Sequence, residues 1–134
     1  MFITADQLLL HAIGDYVIQS DWMANKKAEK SWTGLAAVIV HALTYTLPFL
    51  VLTQKPLAIF AIFFTHWIID RHRLARYVVW AKNFIGPPGS NYPWAECNAT
   101  GYHKDRPPFM AIWLYIYADN VLHVICNGAA ILYG

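Results

Sequence analysis

Charge is what this chain has least of. Asp, Glu, Lys and Arg make up 13% of its 134 residues, against about a quarter in soluble globular chains. That is too little to cover the surface of a small water-soluble domain. Cysteine is equally scarce, and Cys97 and Cys126 are too few for a disulfide scaffold. A net charge of +2 leaves nucleic-acid binding without electrostatic support. The start of the chain lacks the basic stretch and small-residue cleavage site of a signal peptide, so it is read as part of the mature fold. There is no internal repeat and no low-complexity tract. Disorder is excluded as well, because the chain is 57% hydrophobic with a mean hydropathy of +0.34. A single integral membrane domain over residues 1–134 is what these absences leave.

Four apolar segments organise it. The pattern predicts an all-α, four-helix transmembrane bundle, with helices at about residues 5–28, 33–53, 56–82 and 108–133. Thr4 and Gln7 have the spacing of a capping box that opens the first helix. That helix is polar in its second half, so it either crosses the bilayer or re-enters. Pro48 should kink the second helix, and Pro56 suits the first turn of the third. Gly86 to Pro108, rich in Gly, Pro, Asn and aromatics, reads as one long functional loop. If all four helices cross, Lys26, Lys27, Lys30, Arg71, Arg73, Arg76, Lys82, Lys104 and Arg106 share one side and only Lys55 lies opposite. Such asymmetry places those loops on the cytoplasmic side of a membrane. The six tryptophans read as interfacial belt and packing.

Polar residues inside these segments then demand explanation. His11 and Asp15, His66 and Asp70, and Asp119 and His123 are each four apart, the spacing that stacks side chains on one helical face. His41 adds one more from the second segment, and Gln19, Tyr45 and Asn127 extend the stripes. An aspartate at a membrane-helix centre costs roughly 2.5–3.5 kcal/mol, so three cost about 7–10 kcal/mol, against about 0.3–0.6 gained per apolar residue. One His–Asp pair can be a self-satisfied hydrogen bond. Three pairs and a lone histidine, spread over every segment, point to a compensating site. Imidazole and carboxylate suit zinc, manganese or iron. Seven ligands exceed one tetrahedral ion and would serve two that share a carboxylate. His72 and His103 sit among charges and read as solvated surface residues.

HAIGDYVIQSDWMANKK (His11–Lys27), the lone His41, THWIID (Thr65–Asp70), KDRPPFMAIWL (Lys104–Leu114) and DNVLH (Asp119–His123) together resemble a family of small bacterial and phage membrane proteins of unknown function. The chain is also distantly similar to inner-membrane proteins described as predicted metal-dependent hydrolases. That similarity implies hydrolysis by analogy, and the phage association implies a role in altering the host envelope or evading host defence.

The expectation is therefore a metal-dependent hydrolase of a phosphoester or phospholipid at the cytoplasmic leaflet. One or two divalent ions, zinc first, would be held by His11, Asp15, His41, His66, Asp70, Asp119 and His123. Asp70 or Asp15 would be catalytic, Asp70 as general base. Gln19 and Asn127 would orient ligands from outside the coordination sphere. Of the basic residues near the cytoplasmic helix ends (Lys26, Lys27, Arg71, Arg73), Lys26, Arg71 and Arg73 are assigned the substrate phosphate. Membrane lipid is the expected partner, and self-association is left open. A small proton- or metal-translocating protein and a non-enzymatic exclusion or anti-defence protein are the alternatives.

Overall fold

Thr4 accepts a hydrogen bond from the backbone N–H of Gln7 and starts the first helix, as its capping spacing predicts. The computed structural model describes residues 4–134, and among these all regular structure is helical. Helix α1 (Ala5–Ala12) does not continue unbroken to residue 28. It widens into a π-helical turn at Ile13–Ile18, extends at Gln19, and restarts as α2 (Asp21–Lys26). Ser20 caps that restart by accepting from the Met23 N–H, with Asp21 favourably placed in the first turn. Helix α3 (Trp32–Thr46) is capped by Ser31 and tightens into a 3₁₀ turn at Leu47–Val51. Pro48 falls in the first positions of that turn. Helix α4 (Pro56–His72) begins on its proline as expected and ends where Arg73 takes φ 50°, a left-handed conformation usual for glycine. The expected 56–82 helix is thus two, with α5 (Ala75–Lys82) following. The long loop holds one turn, α6 (Trp94–Cys97), before α7 (Pro108–Tyr133).

The chain forms two compact units. Of the described residues, one comprises 4–72 with 123–134, the other 73–122. In the first, α3 packs along α4 and receives α2 and the π turn. Tyr45, Phe49, Ile62 and Ala130 form its apolar core, flanked by Leu10, Leu52 and Ile59. Its interior also encloses Gln7, His11, Asp15, His41, His66, Asp70, His123 and Asn127, while Leu9, Leu47, Val51, Leu57 and Phe60 face outward. Polar groups inside and large apolar side chains outside are the arrangement that a lipid surround favours. In the second unit, Val79, Tyr102 and Ala111 pack together, Tyr77 and Trp94 stack beneath Arg76, and Trp80 meets Trp94 edge-on.

Two stretches, Trp32–Val51 and Pro108–Tyr133, are long and apolar enough to cross a membrane. The 17-residue α4 reaches about 25 Å at 1.5 Å per residue, short of a ~30 Å hydrocarbon core. His72 is exposed as expected. His103 is half-buried, bound to the Glu96 carboxylate at 2.7 Å under the Tyr92 ring.

Candidate metal centre

Four helical elements each deliver polar side chains to one point inside the first unit. The π turn brings Asp15, α3 brings His41, α4 brings His66 and Asp70 one turn apart, and the end of α7 brings His123. A π turn shifts the helical register, and such turns recur at functional sites. Here it re-aims Asp15, whose Oδ1 faces His41 and His66, while its Oδ2 stays 3.6 Å from His11. Gly14, inside the same turn, lies flat against the Tyr45 ring, and any Cβ there would drive into it.

The convergence is tight. His41 Nε2 and His66 Nε2 lie 2.9 Å apart. His41 Nε2 is 3.3 Å from Asp15 Oδ1 and 3.1 Å from Asp70 Oδ2, and His66 Nε2 is 3.5 and 3.2 Å from the same two oxygens. Four ligands at about 2.0 Å from a tetrahedral ion are separated by about 3.3 Å. Five of the six edges of that tetrahedron thus fall close to the required length. Asp70 turns its other oxygen, Oδ1, to His123 Nε2 at 3.4 Å. Two overlapping groups, Asp15–His41–His66 and His66–Asp70–His123, are accordingly able to hold a metal ion.

Chemistry supports the fit. Both carboxylates and all three imidazoles are buried. Asp70 meets the Lys27 ammonium, whereas the Asp15 charge faces His11, His41 and His66, so an imidazole proton or a bound cation would balance it. The Nδ1 atoms of His41 and His66 have no hydrogen-bond partner among the described residues, so what holds these rings polar-side acts at Nε2. His66 is also stacked on Tyr45, with ring centroids 3.6 Å apart.

Around this core the other sequence candidates separate. His11 Nδ1 meets the Tyr45 hydroxyl at 2.8 Å, and Asn127 Nδ2 donates to the same hydroxyl at 2.6 Å. His11 Nδ1 thus lies between the Tyr45 hydroxyl and, at 3.6 Å, Asp15 Oδ2. His11 and Asn127 therefore brace Tyr45, and His11 stands in neither ligand group. Asp119 also stands in neither, and it belongs to the second unit.

The basic residues are redistributed more sharply. Lys26 pairs with exposed Glu29 at 2.7 Å. Arg71 donates to the Glu29 and Lys27 carbonyls, a latch for which Gly34 leaves room. Arg73, in the second unit, donates to the Ala99 carbonyl and covers Tyr115. Within the first unit, Lys26 and Arg71 are thus engaged by Glu29 and by backbone carbonyls. Lys27 reaches the cluster, donating to Asp70 Oδ2 and Gln19 Oε1, both at 2.8 Å, with His41 Nε2 at 3.5 Å. Gln19 acts on the centre through Lys27. Gln7, which sequence analysis treats only as a cap, is buried and donates to the Val124 carbonyl at 2.7 Å. Its position four residues before His11 was the available signal.

No curated protein and no solved structure matches the chain. Residues 3–132 match the family described as a protein of unknown function, DUF3307, and the chain belongs to that family.

Proposed function

We propose that this chain is a membrane-embedded, metal-dependent hydrolase of phosphoesters, with zinc as its ion and the cytoplasmic leaflet as its place of work. The observation that carries this reading is the convergence of His41, His66, Asp15 and Asp70 at tetrahedral edge lengths. Two imidazoles and two carboxylates suit zinc, with manganese or iron as substitutes. A bound ion supplies Lewis-acid polarisation of the phosphoryl group and acidifies the attacking water. The chain's own residues do the rest. Asp15 turns Oδ1 toward the two imidazoles, and its carboxylate would accept the proton of the attacking water. Asp70, facing His41 and His66 with one oxygen and His123 with the other, has the disposition of a carboxylate shared between two ions. Tyr45, held by Asn127 and His11, keeps the His66 ring in place. The apolar exterior and two membrane-length helices support residence in a bilayer, and the clustered basic residues support cytoplasmic loops.

One observation favours a second reading, a small proton or metal translocator. The buried string Asn127–Tyr45–His11 extends polar groups beyond the ligands. Purified protein assayed in detergent and in sealed vesicles separates the two. Metal-dependent phosphate release from phosphoester lipids or soluble phosphoesters, abolished by Asp15→Asn, supports the hydrolase. Metal or proton flux without turnover supports the translocator and removes the hydrolase.

A further inference from the structure

The second unit gathers positive charge around one tyrosine. Tyr102 is buried, and the Arg106 guanidinium and the Lys82 ammonium each lie 4.7 Å from its ring centroid. Lys82 also donates to the Tyr102 hydroxyl at 2.5 Å, and Arg106 has the Met110 sulfur at 3.5 Å. Neither cation meets a carboxylate among the described residues. The carboxylates of this stretch are engaged elsewhere. Glu96 takes His103 at 2.7 Å and Lys104 at 3.8 Å, and Asp105 lies 3.5 Å from the other nitrogen of His103. Like charges held this close repel, and an anion between them relieves the repulsion.

Beside Arg106 is a cavity of about 330 Å³. His103, Lys104 and Arg106 supply polar lining, while Pro108, Ala111 and Ile112, from the first turns of α7, supply apolar lining. Glu96 is the one carboxylate among the lining residues, and it is already paired. The Lys104 N–H donates to the Glu96 carbonyl and the Arg106 N–H to the His103 carbonyl, both at 3.0 Å, so both cations project from a hydrogen-bonded turn. Such groups lose little freedom when a ligand arrives. Helix α7 is one of the two stretches of membrane length, and Phe109, Ile112 and Trp113 in its first turns are exposed. Basic side chains at the end of such a helix sit at the level of lipid phosphates. We infer that this cavity binds an anionic phospholipid, whose phosphodiester is received by Arg106 and Lys104 and whose acyl stem begins over Pro108, Ala111 and Ile112. The arginine fork matches the two free oxygens of a phosphodiester. A soluble phosphodiester would use the cations alone, whereas the apolar lining has a use only for a lipid. The inference rests on the membrane residence proposed above and is independent of the metal centre.

The test is native mass spectrometry of full-length protein in neutral detergent, with phosphatidylglycerol and phosphatidylcholine as the two lipid probes. Wild type is expected to hold phosphatidylglycerol at least about fivefold more tightly than phosphatidylcholine, the worth of one basic side chain at an anionic surface. Arg106→Gln is expected to lose at least about fivefold in phosphatidylglycerol affinity, with Arg106→Lys recovering part of it. Lys30→Gln, which removes an exposed charge from the other unit, is expected to stay within twofold of wild type. An excess of the deacylated headgroup, glycerophosphoglycerol, is expected to leave the lipid in place. Equal binding of the two lipids by wild type overturns the site, a readout that needs no variant to fold. An equal loss in Lys30→Gln and Arg106→Gln also overturns it, because the attraction is then diffuse. Displacement by the deacylated headgroup reassigns the cavity to a soluble phosphodiester and overturns the lipid assignment. Protein released from its membrane by alkaline carbonate removes the membrane reading instead, an outcome read before any lipid is added.

Discussion

Asp70→Asn is the most informative single change, because it removes one charge and almost no volume. Asp70 touches His41, His66, His123 and Lys27, so every edge of the centre that passes through it is affected at once. A structural four-ligand zinc site is worth about 10–16 kcal/mol, or about 2.5–4 kcal/mol per ligand, which is a loss of roughly 70- to 900-fold in affinity. Removing one partner of a buried ion pair costs about 3–5 kcal/mol, and the part-exposed Lys27 brings its share toward the lower end. Metal binding also stabilises the fold by mass action, about 4 kcal/mol when free metal is 1,000 times Kd. The variant is therefore expected to show two separable defects. Zinc affinity, read by chelator competition, should fall by at least about seventyfold. The rise in Tm that zinc produces in wild type should be largely absent. Zinc affinity within threefold of wild type, at the same stoichiometry, would refute the placement of Asp70 among the ligands.

Three further outcomes follow from the same coordinates. Tyr45→Phe removes the hydroxyl that receives Asn127 and reaches His11, so it should destabilise by about 1–3 kcal/mol in chemical denaturation while leaving zinc stoichiometry unchanged. Gly14→Ala places a methyl group against the Tyr45 ring and should cost about 1–3 kcal/mol, with lowered zinc affinity as the π turn shifts. In the second unit, the hydrogen bond from His103, with Lys104 beside it, holds the Glu96 carboxyl below its usual range. A depressed folded-state pKa gives a contribution present above the unfolded carboxyl value and lost as pH falls through the folded one. Limited proteolysis of the 86–107 stretch should therefore quicken below about pH 4, and Glu96→Gln should show the faster rate already at neutral pH.

Much of the centre was legible because helical periodicity needs no tertiary information. His66 and Asp70 sit four apart on an unbroken helix, and that spacing alone put both on one face. Trp32–Val51 and Pro108–Tyr133 were equally readable, since an apolar run of membrane length is a composition signal. What escaped was any change of register. A continuous first helix would carry the His11–Asp15–Gln19 stripe on to Lys26. The π turn at Ile13–Ile18 and the restart at Ser20 reset the register, so Lys27 arrives instead. Ser20 followed by Asp21 was a usable capping signal for that restart. Arg73 offered none, because a left-handed arginine after α4 runs against its intrinsic preference.

The central claim is that a metal ion belongs among His41, His66, Asp15 and Asp70, and elemental analysis tests it most directly. Wild-type protein purified in neutral detergent, without chelators or an affinity metal, should carry at least one equivalent of divalent transition metal per chain. Asp70→Ala and His66→Ala, checked for retained helicity, should carry less than a tenth of that. Folded wild type without metal, unable to take up zinc, manganese or iron on addition, would contradict the account.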